Sequence, residues 1–326
     1  MKKICIYGAG AIGGWMGARL AQHADAPLAV VARGATLAAL REHGLRLASP
    51  DGDTQTSVQA SNDPAALGVQ DLVIIAVKAP ALASVAQRIG PLIGPETTVL
   101  TVMNGVPWWF LQDFGGALKG TRLHAVDPDG AIERAIPIER VVGGVVHVSC
   151  SLDGPGAVRH HFGRKLIIGE PAGGTTQRVQ ALAQLLAQAG IDAQVSPQIQ
   201  KDVWFKLWGN MTINPISALT GATADRVLDD DLVRTFATRV MREAKEIGER
   251  IGIPIAEEPE DRHAVTRKIG AVKTSMLQDV EASRPLELDA LVAAVRELGQ
   301  LTSVPTPFTD ALLGLARLMA RTRGLY

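Results

Sequence analysis

A doubly wound α/β domain of the Rossmann type, followed by an all-helical C-terminal domain, is the fold class this sequence predicts. Three observations predict it. A short apolar strand, Lys2 to Tyr7, runs directly into GAGAIGG and then a helical pattern, which is the strand–turn–helix context of a dinucleotide fingerprint. Apolar runs follow at Asp71 to Val77 and Thr97 to Met103, each continuous in the way of a strand buried on both faces of a parallel sheet. Beyond Pro197 the chain reads as helix after helix. At 326 residues it is long for one core, and two domains are the expectation, 1–196 and 197–326.

In the fingerprint, Gly8 permits a tight turn, Gly10 lets backbone approach a pyrophosphate, and Gly13 lets helix and strand pack closely. Ala9, Ala11 and Ile12 complete the loop, whose N–H groups and positive dipole end would face the phosphates. The strand from Pro27 to Ala32 ends in Arg33, and no acidic residue occurs between Leu28 and Leu40. An acid there would suit a ribose hydroxyl; an arginine suits a 2′-phosphate, so NADP is favoured over NAD. The plainer alternative makes Arg33 a solvated residue at a helix start, with Gly34 turning the chain. Ligands of doubly wound sheets bind beyond the carboxyl ends of strands, and Gly8, Arg33, Lys78 and Asn104 all follow such ends.

Short strands are expected at Gly44 to Ala48 and Thr54 to Ala60. From Val141 the pattern turns β-rich, punctuated by Gly and Pro. His160 and His161 are adjacent, so in a strand they face opposite ways and make a poor metal pair. A helix over Gln177 to Ala189 and a strand over Ala193 to Ser196 close the first domain.

The segment Lys201 to Pro215, KDVWFKLWGNMTINP, opens the second. Lys206 and Asn210 lie four apart on one helical face and Asn214 prolongs the stripe, while Trp204, Leu207, Trp208 and Met211 point into a core. Pro215 predicts a helix end or kink at Asn214. A cation and two amides among apolar side chains are costly unless something polar is bound or paired; the alternative is a solvated lysine with two capping asparagines. Helices are then expected over Asp229 to Ile251, Glu260 to Glu281, Pro285 to Thr302 and Phe308 to Arg321. Ser275 and Asp279 lie one turn apart, and Glu287 falls in the first turn of its helix, where the macrodipole favours an acid. Asp279 reads as a surface charge or a partner for Arg284.

Composition bounds the function. The chain is 47% hydrophobic and 20% charged, with 33 basic and 33 acidic side chains, so nothing points to nucleic-acid or membrane-surface partners. Cys5 and Cys150 cannot form a disulfide framework or a metal-ligand spacing and suit a reducing compartment. Glycines interrupt the apolar run behind Lys2 and Lys3, so a secretory leader is not expected and the protein reads as cytoplasmic. No metal is expected. Monomer and homodimer both stay open, the apolar helices of the second domain offering a face for a twin.

Together GAGAIG at 8–13, VK at 77–78, NG at 104–105, WFKLWGNMTINP at 204–215 and SMLQD at 275–279 with the later Glu287 resemble the ketopantoate reductase family. The resemblance implies NADPH reduction of 2-dehydropantoate to (R)-pantoate, a step towards pantothenate and coenzyme A. It implies Lys206 as the catalytic lysine and Glu287 as the acid that positions substrate. Asn104, Asn210, Asn214 and Ser275 would line the substrate pocket, and Arg33 and Lys78 would be cofactor-side cations. Gly115 to Ile136 maps onto no functional motif, and Trp108 and Trp109 read as packing. An NADP-dependent reductase of another small 2-keto acid, and a non-catalytic NADP(H) sensor, are the competing readings; a sensor would have no need of a proton donor.

Overall fold

The computed structural model describes residues 1–23 and 28–326, with the backbone alone at residue 269. It divides into two compact units, residues 1–103 with 131–199, and residues 104–130 with 200–326. The second unit thus takes up the chain after residue 199 and also includes the Asn104 to Gly130 stretch.

The N-terminal unit carries ten strands among the described residues: β1 (Ile4–Tyr7), β2 (Ala29–Val31), β3 (Leu45–Ala48), β4 (Thr54–Thr56), β5 (Gln59–Ser61), β6 (Leu72–Ile75), β7 (Thr98–Thr101), β8 (Val141–Gly154), β9 (Ala157–Gly169) and β10 (Asp192–Val195). The run β5-β2-β1-β6-β7-β8 is parallel throughout, the order of a dinucleotide-binding sheet, in which the strand sequence reverses at β1. Every residue of β1, β2, β6 and β7 is buried, as the continuous apolar runs require. Helix α1 (Ala11–Ala21) packs Trp15, Met16 and Leu20 into that core, and α2 (Gly34–His43) follows β2.

Several expectations need correction. The single strand expected over Thr54 to Ala60 is two: β4 pairs antiparallel with β3, and β5 pairs parallel with β2 at the opposite end of the sheet. The β-rich region is a hairpin of two long strands, β8 and β9, with register shifts near Ser149 and Leu152 that absorb its length. Pro27, the expected start of the second strand, lies outside the described residues.

The second unit is helical: α6 (Ile199–Thr220), α7 (Ala224–Asp229), α8 (Asp231–Arg250), α9 (Pro259–Ile269), α10 (Ser275–Glu281), a π-helical turn (Asp289–Ala293) running into α11 (Ala294–Thr302), and α12 (Pro307–Thr322), after α3 (Leu82–Ala86), α4 (Ala131–Ala135) and α5 (Gln177–Gln188) of the first. Helix α6 passes straight through Pro215. Proline deletes one backbone bond, yet every residue from Met211 to Ala218 is buried, and that packing overrides a local cost of about 3 kcal/mol. The helix expected over Glu260 to Glu281 is broken. Gly270 (φ +79°) ends α9, and the Thr274 hydroxyl accepts from the Leu277 N–H at 3.2 Å to start α10. No helix among the described residues is long and apolar enough to cross a membrane.

Within the Gly115 to Ile136 stretch, to which sequence assigns no motif, His124 and Ala125 are anchored by Glu297 on α11. That carboxylate accepts from the His124 and Ala125 N–H groups at 2.7 and 2.8 Å. Trp108 and Trp109 are buried, and Phe110 stacks on Trp204 of α6.

Candidate active site

In the N-terminal unit a cavity of about 270 Å³ opens where β1, β2, β5 and β6 end, at the reversal of strand order. Gly8, Ala9, Gly10, Arg33 and Val77 are among its walls. The three glycines differ in what surrounds them. Gly8 has φ +100°, a backbone that side chains resist, and Gly13 packs so tightly that a Cβ there would stand 2.0 Å from the Gly8 carbonyl oxygen. Gly10 is the opposite case: a Cβ there would meet nothing within 4 Å. Packing of the fold therefore does not demand a glycine there. Gly10 is also the N-cap of α1, with no side chain capping it, so the helix's first amides stand beside open space as a pyrophosphate needs. Ala11, Ile12 and Gly13 form the first turn of α1 behind this wall.

Arg33 is exposed, caps α2 at its N-terminus and lines the cavity. Its exposure at a helix start is the plainer of the two readings of it, and its place in the cavity wall is what the other requires. Sequence reasoning missed its companions Thr36, Asn62 and Arg88, which line the same cavity; the Arg88 Nη2 donates to the Asn62 carbonyl at 2.8 Å. Burial pushes the Tyr7 phenol up, and the Arg88 and Arg33 charges offset this in part. No spacing signal marks Arg88, because it reaches the cavity from the turn after α3 by tertiary packing. Lys78 is half-buried at the start of the 3-10 turn Ala79–Ala81 and is not among the residues lining the cavity.

The second unit gathers Lys206, Asn104 and Glu287. Trp204, Leu207, Trp208 and Met211 are buried, and the Trp208 indole N–H donates to the Met241 carbonyl at 2.8 Å, which fixes the rotation of α6 about its axis. Lys206 is thereby held half-buried, and its Nζ donates to Asn104 Oδ1 at 2.8 Å. Burial brings the Lys206 ammonium down to about 8. The Glu287 carboxylate works against this shift, and the Arg262 guanidinium adds to it.

Asn104 is aimed by its neighbour. Gly105 has φ +84°, and a Cβ there would lie 2.6 Å from the Ala290 carbonyl carbon and oxygen. The Val106 N–H donates to that same Ala290 oxygen at 2.8 Å. The Asn104 loop is thus pressed onto the π-helical turn that follows Glu287. Glu287 sits just ahead of this turn rather than in its first turn as expected; it is buried, and its carbonyl accepts from the Leu291 N–H at 3.1 Å.

The remaining predicted residues divide. Asn210 is half-buried one turn along α6 from Lys206, and Asn214 is buried one turn further. Ser275 is exposed as the first residue of α10. Asp279 is buried and forms an ion pair with Arg284 at 3.0 Å, the structural alternative for that residue. No group of three or more His, Cys, Asp and Glu that could hold a metal occurs among the described residues. His160 is buried against Trp15, whereas His161 is exposed beside Ser151. Both thiols are pushed up to about 12 by burial, which makes them poor nucleophiles.

Comparison with known proteins bears on both units. The family described as ketopantoate reductase PanE/ApbA matches residues 4–173, and its C-terminal counterpart matches residues 198–320. The 2-dehydropantoate 2-reductase of Mesorhizobium japonicum is 46% identical over 324 residues, covering 99% of each chain. That of Halobacterium salinarum is 26% identical over 321 residues, covering 98% of this chain and 99% of its own. A candidate ketopantoate reductase of solved structure from Ralstonia solanacearum MolK2 is 58% identical, covers 100% of this chain and 99% of its own, and superposes with a TM-score of 0.96. The chain belongs to the ketopantoate reductase family.

Proposed function

We propose that the protein reduces 2-dehydropantoate to (R)-pantoate with NADPH, in the cytoplasm, on the route to pantothenate and coenzyme A. The observation that carries this reading is the Lys206 ammonium, held by Asn104 at 2.8 Å and brought down to about 8. Reduction of a 2-keto acid requires a hydride at C2 and a proton on the nascent alkoxide. Bound NADPH supplies the hydride. The residues at the ends of β1 and β2 would hold it, Gly8 to Gly13 at the pyrophosphate and Arg33 at the 2′-phosphate.

Lys206 supplies the proton. At neutral pH a group titrating near 8 is mostly protonated, yet it gives up its proton more readily than an ordinary lysine, which suits a general acid. While the carbonyl is still intact the same ammonium donates a hydrogen bond to its oxygen and stabilises the charge that develops there. Asn104 fixes the direction of Nζ, and Asn210 and Asn214 continue the polar stripe. Glu287 has two roles: it keeps Lys206 charged, and it accepts from the terminal hydroxyl of the substrate. A keto acid without that hydroxyl leaves a buried carboxylate unpaired, so discrimination against it is large. Monomer and homodimer are equally compatible with this chemistry.

NADPH oxidation, followed optically with 2-dehydropantoate beside a panel of small 2-keto acids, tests the proposal. Turnover selective for 2-dehydropantoate and lost in Lys206→Ala is the expected result. Turnover on another keto acid would keep the mechanism and replace the substrate. Tight NADPH binding without any turnover would overturn the reading in favour of a sensor.

A further inference from the structure

We propose that Arg262, on α9, is the residue that recognises the carboxylate of the substrate, flanking Lys206 on the side of α6 opposite Asn210. The inference rests on the reading of the protein as a 2-keto acid reductase. Helical geometry places Gly209 about 60° and Phe205 about 100° to one side of Lys206, and Asn210 about 40° to the other. The Arg262 guanidinium occupies the first side. Its Cζ stands 5.9 Å from the Phe205 ring centroid, and a Cβ on Gly209 would lie 2.6 Å from its Nε and 2.9 Å from its Nη2. Gly209 is thus the absence of a side chain that lets a guanidinium lie directly on the helix, one turn from Lys206.

Among the described residues no carboxylate forms an ion pair with this guanidinium, and its buried Nε has no hydrogen-bond partner. Burial alone holds it below the ordinary arginine range. An unpaired, half-buried cation lying beside a second cation is costly in the empty protein, and an arriving anion removes both costs. The cation–π contact with Phe205 restrains the guanidinium, whose N–H donors have the fork geometry that matches a carboxylate. In a 2-keto acid the carboxylate is bonded to the carbonyl carbon itself. A cation beside the Lys206 ammonium is therefore where its counter-charge is needed. Ser275, which the family resemblance places in the lining of the substrate pocket, is exposed at the start of α10 and supplies no charge.

The test compares wild type, Arg262→Met, Arg262→Lys and Gly209→Ala. Each is assayed with 2-dehydropantoate and with the corresponding uncharged 2-keto amide, and NADPH binding is measured separately. Oxamate, a small carboxylate isosteric with a 2-keto acid, is titrated calorimetrically into each NADPH complex. The expected result for Arg262→Met is a KM for the acid, and a Kd for oxamate, raised by about 10- to 100-fold. NADPH affinity and the KM for the amide stay unchanged. Arg262→Lys recovers part of the loss, and Gly209→Ala, which displaces the guanidinium without removing it, shows a smaller loss of the same kind. An acid-to-amide preference that is the same in all four proteins would overturn the assignment, as would a loss shared equally by acid and amide. Should wild type turn over no keto acid, the functional reading fails on its own, while Arg262-dependent oxamate binding still decides the role of Arg262.

Discussion

The cavity beyond β1 and β2 is entered by a glycine-rich run of backbone, whereas the Lys206 cluster is made of side chains drawn from distant parts of the chain. In the first, three glycines set a turn, an opening and a close contact within six residues, and the geometry follows from what those residues lack. In the second, Asn104, Lys206, Arg262 and Glu287 come from a loop, two helices and a helix start, and each modifies the others by charge and burial. Two of the four oppose each other directly, Glu287 favouring the charged form of Lys206 and Arg262 disfavouring it. A site built from backbone is tuned by sterics; one built from side chains is tuned by electrostatics. Substitutions should therefore fail in different ways in the two.

Lys206→Ala is expected to have the largest effect, because on the proposed mechanism it removes both the proton donor and the hydrogen bond to the polarised carbonyl. A fall in kcat of roughly 10²- to 10⁴-fold is expected, with NADPH affinity, read by quenching of protein fluorescence, left within about 2-fold. Loss of NADPH binding in step with turnover would break the separation of the two sites. Gly105→Ala comes next. The substitution forces an unfavourable φ and puts a methyl group 2.6 Å from the Ala290 carbonyl, so the loop must move and Asn104 with it. We expect a loss of kcat/KM on the order of 10²-fold, larger than that of Asn104→Ala, since the displaced loop also disturbs the turn behind Glu287. A Gly105→Ala protein with normal kinetics would show that the aim of Asn104 does not matter.

The degree to which each site is legible in sequence follows the same division. Gly8, Gly10 and Gly13 announce themselves because their roles are local: strand, turn and helix are contiguous and the spacing is the geometry. Lys206, Asn210 and Asn214 are legible as a stripe because helical pitch is also local. Arg262 is invisible by the same logic. It meets α6 only after two intervening helices have packed, and nothing in PEDRHAV distinguishes it from Arg267 a turn later. Pro215 misleads in the other direction, since its local veto on helix is overruled by burial of the whole segment from Met211 to Ala218. The break between α9 and α10 was available to sequence, as a glycine followed four residues later by a capping threonine, but the apolar periodicity on either side conceals it.

Glu287→Gln sharpens the electrostatic side of the comparison. On the proposed mechanism reduction needs Lys206 protonated, so activity is expected to fall as pH rises through the Lys206 value of about 8. Glu287 holds that value up; replacing its charge with a neutral amide lets burial and Arg262 act unopposed. The basic limb of the kcat/KM profile should move to lower pH, and at neutral pH the variant should lose about 10- to 100-fold on 2-dehydropantoate. A limb that stays in place or moves up would mean that Lys206 is not the titrating group.

Arg33→Ala is expected to have the smallest effect, and it tests whether the backbone site carries any electrostatic tuning of its own. Arg33 is exposed, and the residue caps a helix as well as lining the cavity, so its loss should leave the fold and the Lys206 cluster untouched. A charge-assisted contact to a 2′-phosphate in such an exposed place is worth roughly 1 to 2 kcal/mol. The ratio of kcat/KM with NADPH to that with NADH should then fall about 10-fold, with kcat unchanged and the NADH value constant. Arg88 lines the same cavity and gives the control. If Arg33→Ala leaves the ratio intact and Arg88→Ala lowers it, the cofactor phosphate is read by the residue that only the folded protein brings to the site. The cofactor site would then depend on tertiary packing for its specificity as much as the Lys206 cluster does.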